Sequence, residues 1–215
     1  MSVTIAEELL LLAHSEEAGK QLVDSTSLNL ALGGALLAEL ALGERIDLEG
    51  RHVVVKDPTP LGDGELDRAL ARIVEETKPR KPDWWVNKLH AGKLRDRLLT
   101  RLADAGVLTE QQGKVLGIFP SKRWPEADGT VEAGVRERIA SALGGSDPDP
   151  RTAVLVAVMH AVKLERKAFP GADKKRIKEI AEGEWAGAAV ARTIASIQAA
   201  IMAGAVAAVV AAGAS

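Results

Sequence analysis

The stretch Ser27-Leu-Asn-Leu-Ala-Leu-Gly-Gly-Ala-Leu-Leu-Ala-Glu-Leu-Ala-Leu42 decides the fold. Leucine and alanine are strong helix formers, and Glu39 is the only charge in the run. A helix that is apolar on nearly every side belongs in the middle of a protein, with other elements packed around it. The pair Gly33-Gly34 weakens such a helix by roughly 1 kcal/mol per glycine relative to alanine. A close helix crossing at the pair accounts for that cost better than a ligand site does.

Upstream, Thr4-Ile-Ala-Glu7 has the pattern of a capping box, in which hydroxyl and carboxylate satisfy each other's backbone donors. It opens a first helix whose apolar run, Leu9 to Ala13, ends in a polar break from His14 to Lys20. The adjacent acids Glu7-Glu8 and Glu16-Glu17 read as solvated. Downstream, Arg45 to Val55 alternates around Glu49-Gly50 and predicts a short β-hairpin. Asp57-Pro-Thr-Pro-Leu-Gly-Asp-Gly is turn chemistry, with Asp63 placed to cap a helix over Glu65 to Thr77. Pro79 and Pro82 break that helix. A longer one follows, from Trp84 or Val86 to Ala105, loosened around Gly92.

Val107 to Pro120 predicts a second hairpin, turning at Gln112-Gly113. Helices are then expected over Val131 to Leu143, Arg151 to Lys167 and Lys174 to Glu182. The last segment, Trp185 to Ala214, is rich in alanine. Its 16 residues from Ala199 to Ala214 carry no charge, which falls short of the 18 or more apolar residues of a membrane span. Another buried central helix, made of small residues that permit close contact, is the expectation. The whole chain, residues 1 to 215, reads as one mainly α domain: a compact helical fold around a central apolar helix, with short β-hairpins and no internal repeat.

Composition narrows the function. The chain has no cysteine, which excludes disulfides, thiolate metal sites and cysteine nucleophiles and fits a cytoplasmic setting. Met1-Ser-Val-Thr lacks the basic and then apolar pattern of a secretory signal. Tyrosine is absent while alanine, glycine and valine abound, a bias that points to a high-GC bacterial coding sequence. The charge is uneven. Lys78 to Arg123 holds eleven lysines or arginines against four acids, and the rest of the chain holds 17 against 26. Trp84, Trp85 and Trp124 fall in or beside the basic segment. Such asymmetry points to an anionic partner, lipid headgroups or nucleic acid; solvated helix faces spread around the fold are the bland alternative.

Several blocks together resemble the Golgi phosphoprotein-3 (GPP34) family. They are Val3-Thr-Ile-Ala-Glu-Glu-Leu-Leu-Leu-Leu-Ala, Leu37-Ala-Glu-Leu-Ala-Leu-Gly-Glu-Arg-Ile-Asp-Leu-Glu, Pro60-Leu-Gly-Asp with Leu66-Asp-Arg-Ala-Leu, and Arg95-Asp-Arg-Leu leading to Ala105-Gly-Val-Leu-Thr. Met159-His-Ala and Arg166-Lys-Ala-Phe169 complete the set. No single block is specific; their order along nearly the whole chain is. The resemblance implies a helical domain, peripheral on the cytosolic face of a membrane, that binds phosphatidylinositol 4-phosphate and holds the cytosolic tails of membrane proteins. In the family a tryptophan and several basic residues form the headgroup pocket. Here the aligned positions fall near Asp24, Gly33, Asp147 and Pro150, with Arg151 the nearest basic residue. An aspartate repels a phosphate, so the resemblance carries the fold further than the pocket.

The residues themselves offer a lipid-binding set: Arg80, Lys81, Trp84, Trp85, Lys88 and Lys93, to which Arg151 is added from the resemblance. Tryptophan favours the bilayer interface, and each Lys or Arg near an anionic surface contributes about 1 kcal/mol. Burial of one or both tryptophans is the competing expectation. Anionic phospholipid headgroups are thus the expected partner, protein cytosolic tails a second, and homo-oligomers are compatible with either. A winged-helix-like nucleic-acid reading, with Lys93, Arg95, Arg97 and Arg101 on phosphates, is weaker because no helix-turn-helix precedes the supposed wing. His14, His52, His90 and His160 show no metal-ligand spacing. With neither a phosphate-cradling glycine loop nor a nucleophile elbow, no enzyme, metal or cofactor is expected.

Overall fold

Asp24 opens the central helix. Its carboxylate accepts the Ser27 backbone N–H at 2.9 Å, and α2 runs from Ser25–Leu42 as a computed structural model describes it. The described residues are 3–15, 19–91, 93–115, 119–183, 185 and 187–213. Before α2, the capping box forms as expected, with Thr4 and Glu7 bonded reciprocally at the start of α1 (Ile5–Leu12). After it come β1 (Ile46–Glu49) and β2 (His52–Val55), paired antiparallel with Ile46 opposite Val55. Asp63 caps α3 (Gly64–Glu75). Then follow α4 (Pro82–Leu89), α5 (Leu94–Asp104), β3 (Gln111–Val115), β4 (Phe119–Arg123) and α6 (Thr130–Leu143). The chain closes with α7 (Pro150–Ala161), α8 (Glu165–Ala168), α9 (Lys174–Glu182) and α10 (Ala188–Gly213). The fold is mainly α, with two small antiparallel hairpins.

α1, α3, α4, α5, α7 and α10 all pack on α2. The glycine pair works as a crossing point. A Cβ on Gly33 would collide with the Val86 carbonyl oxygen of α4, and one on Gly34 with the Ile201 side chain of α10. Two helices therefore meet α2 at neighbouring residues. Other contacts set directions. Ile201 lies against Gly34 while Leu30 lies against Gly204, and Thr193 hydrogen-bonds Asp47 beyond the far end of α2, so α10 runs antiparallel to α2. Arg151, at the start of α7, pairs with Glu39 near the end of α2, and Lys167 reaches the Leu22 carbonyl ahead of its start; α7 is antiparallel too.

Four expectations need correction. The helix expected from Trp84 or Val86 to Ala105 is two, α4 and α5, separated by a break in which Lys93 takes a left-handed conformation. The helix expected from Arg151 to Lys167 stops at Ala161 and resumes as α8. There Lys163 is left-handed, Lys163 N–H bonds the His160 carbonyl and Leu164 N–H bonds that of Met159, the pairing of a Schellman cap. Gln112 and Gly113 lie inside β3, opposite Lys122 and Ser121, and not at a turn; the residues between the strands, 116–118, lie outside the described residues.

The fourth correction concerns α10. α2 and α10 are both long and apolar enough to cross a membrane by length and composition. α2 is enclosed, whereas only 28% of the Ala188–Ala211 stretch is buried. Ile194, Ile197 and Ile201 enter the core, but Met202, Val206, Val209 and Val210 are 45–66% exposed. α10 is therefore not the fully buried helix that its composition predicts.

Two measurements test this packing. Gly33→Ala should destabilise the fold by about 2 kcal/mol through overpacking, whereas Gly134→Ala, whose added methyl group meets nothing, should stabilise α6 by up to about 1 kcal/mol; urea unfolding reads both. The second concerns His14, which is buried with its Nδ1–H donated to the Leu10 carbonyl at 2.7 Å. Burial, aided by the Arg95 charge, holds its pKa below the ordinary 6.5 despite that hydrogen bond. The unfolded chain therefore takes up this proton first, and stability falls as pH drops from about 6.5 towards the lower folded value. His14→Gln should reduce the slope of unfolding free energy against pH in that window, leaving the part due to His90, also lowered by burial.

Candidate functional site

α4 is short and two-faced. Pro82 starts it without losing an intrahelical hydrogen bond, since the first N–H groups of a helix have no partner. Trp85, Val86 and Leu89 turn inward and are buried. Trp84 and Lys88, one turn apart, turn outward, with Lys81 exposed at the N-cap. Trp84 is half-buried. It stands perpendicular to Trp85 with ring centroids 4.7 Å apart, so the buried indole props the outer one. The Arg80 guanidinium lies 4.3 Å from the Trp84 ring centroid and the Lys88 ammonium 5.6 Å, both within cation–π range. Arg80 is also fixed by Glu76 at 3.3 Å and through its carbonyl, which accepts the Val53 N–H at 2.9 Å.

Of the residues singled out from the sequence, the structure thus gathers Arg80, Lys81, Trp84 and Lys88 on one face. Lys93 is exposed just beyond the end of that helix. Trp85 is a core residue, 2% exposed, and cannot meet an external ligand without unfolding. Beside this face a cleft of about 460 Å³ runs between α3 and α4. Arg72 and Lys88 line it, but so do Glu75 and Glu76. Glu76 is held ionised, its pKa lowered chiefly by the Lys78 backbone N–H and also by Arg80. The cleft is charge-balanced and unsuited to a phosphate; the cationic surface is the outward face of α4.

Arg151 belongs elsewhere. Its guanidinium bonds Glu39 at 2.6 Å, Glu8 at 3.2 Å and the Val3 carbonyl. Arg138 bonds the same Glu8 oxygen at 2.8 Å, leaving the other carboxylate oxygen without a partner. Arg101 pairs with Glu7 at 2.6 Å and Asp63 at 2.6 Å. Glu7 and Glu8, expected to be solvated, are 0% and 3% exposed. They sit in an internal network because α1 is enclosed on all sides and offers them no path to water. Burial raises the pKa of Glu39, which Arg151 only partly offsets. Arg151 itself is raised above its ordinary value: burial opposes its charge, but both Glu8 and Glu39 favour it. One arginine shared by two carboxylates gains from each, while each carboxylate has only a share of it.

The positions that the sequence resemblance singled out do not gather into a pocket of cations. Asp24 caps α2, Gly33 admits α4, Asp147 is exposed in a loop, and Pro150 is the first residue of α7. The residues proposed to face nucleic-acid phosphates are also engaged. Arg97 pairs with Glu65 at 2.7 Å, Arg101 with Glu7 and Asp63, and Arg95 with Gln21 and Ser25. Among the described residues no group of three or more histidines, aspartates and glutamates is placed to hold a metal ion.

The sequence profile of the Golgi phosphoprotein 3 (GPP34) family matches residues 5–197. Vacuolar protein sorting-associated protein 74 of Eremothecium gossypii is 27% identical over 165 residues, covering 66% of this chain and 49% of that protein. The protein of the same name from Schizosaccharomyces pombe is 26% identical over 164 residues, covering 66% and 48%. The chain thus spans about half the length of these relatives.

Removing one cation from the internal network tests its role. Arg101→Ala leaves Glu7 buried and uncompensated, and should cost about 3 kcal/mol in denaturant unfolding. Lys88→Ala, on the solvated face, should change stability by less than about 0.5 kcal/mol.

Proposed function

This chain belongs to the Golgi phosphoprotein 3 family, and we propose that it is a peripheral membrane protein. In this reading the outer face of α4 binds an anionic phospholipid surface at the cytosolic side of a membrane, where the domain holds the tails of membrane proteins. The observation that carries it is Trp84, partly exposed and flanked by Arg80 at 4.3 Å and Lys88 at 5.6 Å. An indole with cations on either side suits the headgroup layer, where the ring meets the interface and the cations meet lipid phosphates. Lys81 and Lys93 add exposed charge beside it. At about 1 kcal/mol per cation, such a face binds reversibly and loses affinity as salt screens it.

The balanced cleft beside α4 and the residues at the aligned pocket positions favour recognition of charge density over recognition of one headgroup. The relatives' names speak of vacuolar protein sorting, and retention of cargo tails at a bilayer is the corresponding role proposed here. Nucleic acid is not favoured, because Arg97 and Arg101 are engaged in internal pairs.

Co-sedimentation with vesicles of graded phosphatidylserine content, at low and physiological salt, tests the reading. Binding should rise with anionic lipid and fall with salt. Trp84→Ala with Lys88→Glu should weaken it about tenfold or more with folding intact. Phosphoinositide and phosphatidylserine vesicles of matched charge should bind equally. Absence of binding at low salt would reject membrane association, and an unaffected double variant would reject this surface.

A further inference from the structure

A helix whose exposed stripe is as apolar as its buried one is incomplete in water. From Thr193 to Gly213, α10 carries no charged residue. Its inner face is spent on the core through Ile194, Ile197 and Ile201, whereas Val206, Val209 and Val210 are 62–66% exposed on the other. Surface positions of a soluble helix normally hold charged or polar residues; here they hold valine, methionine and alanine.

The surroundings of this stripe indicate what covers it. α10 runs antiparallel to α2 and passes Leu30 at Gly204. Nine more residues, at about 1.5 Å each, carry it about 13 Å onward, whereas α2 reaches back only about 8 Å from Leu30 to Ser25. The last turn of α10 thus projects beyond the start of α2. The same end of the molecule gathers cations. Arg95 bonds Ser25, Lys93 is exposed two residues before it, Lys167 bonds the Leu22 carbonyl, and Lys163 and Arg166 are exposed nearby. Asp24 and Asp96, next to Ser25 and Arg95 in sequence, are exposed acids at this end, and Asp83 is exposed on α4. α4, with Trp84 and Lys88, lies alongside, since α4 and α10 cross α2 at adjacent glycines. An uncharged apolar helix end with lysines and arginines at the same end of the molecule is complementary to one class of surface: an anionic bilayer, with phosphates at the rim and acyl chains beneath.

We infer that the outer stripe of α10 from Met202 to Val210 is the membrane-inserting element of this protein, entering the acyl boundary while the surrounding cations hold the headgroups. The inference rests on the peripheral-membrane reading and adds the apolar half that α4 lacks. Because Ile197 and Ile201 stay packed on α2, the helix lies at the interface with only its outer stripe submerged, about 5–10 Å deep.

The chain has no native cysteine, so Val206→Cys carrying a nitrobenzoxadiazole label reports on this stripe alone, and Glu137→Cys on α6 serves as control. With vesicles of phosphatidylcholine containing about one-third phosphatidylserine, the label at 206 should shift to the blue and be quenched by lipids bearing a nitroxide near the headgroup. The label at 137 should do neither. Val206→Ser with Val210→Ser, which removes apolar area without adding charge, should lower vesicle affinity about tenfold while leaving its salt dependence, which α4 and its neighbours supply, in place. Helicity by circular dichroism verifies that the variant is folded. Vesicle binding without a response at 206 would overturn this inference and leave the α4 reading standing; no vesicle binding at all would remove both. Dimers in solution that the two serines convert to monomers would assign the stripe to a second copy of the chain, which also overturns it.

Discussion

Water cannot solvate α2 on any side without loss, since leucine, alanine and glycine occupy almost its whole circumference. Thirteen of its eighteen residues are buried, and the other helices take their places from that requirement. Ordinary side chains would hold neighbours 8–10 Å from the axis; Gly33 and Gly34 let α4 and α10 come closer at one level. The external surface follows from this packing. Once Trp85, Val86 and Leu89 are used to cover α2, the helical spacing leaves Trp84 and Lys88 outside. The candidate site is thus the far side of a core element and inherits its rigidity from the core.

The positive charge of the molecule divides into two populations. Arg97, Arg101, Arg138 and Arg151 are matched to carboxylates that burial would otherwise penalise. Lys81, Lys88, Lys93, Lys163 and Arg166 remain at the surface. The partition follows side-chain chemistry: a planar guanidinium can bond two carboxylates at once and tolerates partial burial, while a lysine keeps its ammonium hydrated. A count of basic residues along the chain therefore overstates the charge available to a ligand. It also obscures where that charge lies, because Lys167 is far in sequence from the basic segment yet bonds Leu22, three residues before the Ser25 that Arg95 bonds.

Much of the architecture was legible beforehand where local chemistry acts alone. The Thr4–Glu7 box, the Asp63 cap and the Glu49-Gly50 hairpin all follow from residues within a few positions of one another, and the glycine pair marked a close crossing without naming α4 and α10 as the helices that make it. What failed depends on context. No glycine marks the end of α7, because Lys163 accepts the left-handed conformation that a glycine would have announced. The burial of Glu7 and Glu8 needed arginines about a hundred residues away, although the apolar surroundings Ile5-Ala6 and Leu9-Leu10-Leu11-Leu12 were a signal that α1 has no wet side. Of the site, the cluster at Trp84 was legible from Lys78-Pro-Arg-Lys-Pro-Asp-Trp-Trp, but which tryptophan faces out was not, because adjacent helical residues differ by about 100° and only the packing decides.

The acid–arginine network also sets a timetable for synthesis. Glu7 waits for a partner 94 residues downstream, and Glu8 for one 143 residues downstream. At about 5–20 residues per second, a ribosome takes roughly 7–30 s to deliver the second. During that interval α3, α4 and α5 are delivered, but α7 and α10, which also cover α2, are not. The packing around α1 and α2, the first helices to be made, is therefore completed only when the C-terminal helices α7 and α10 arrive.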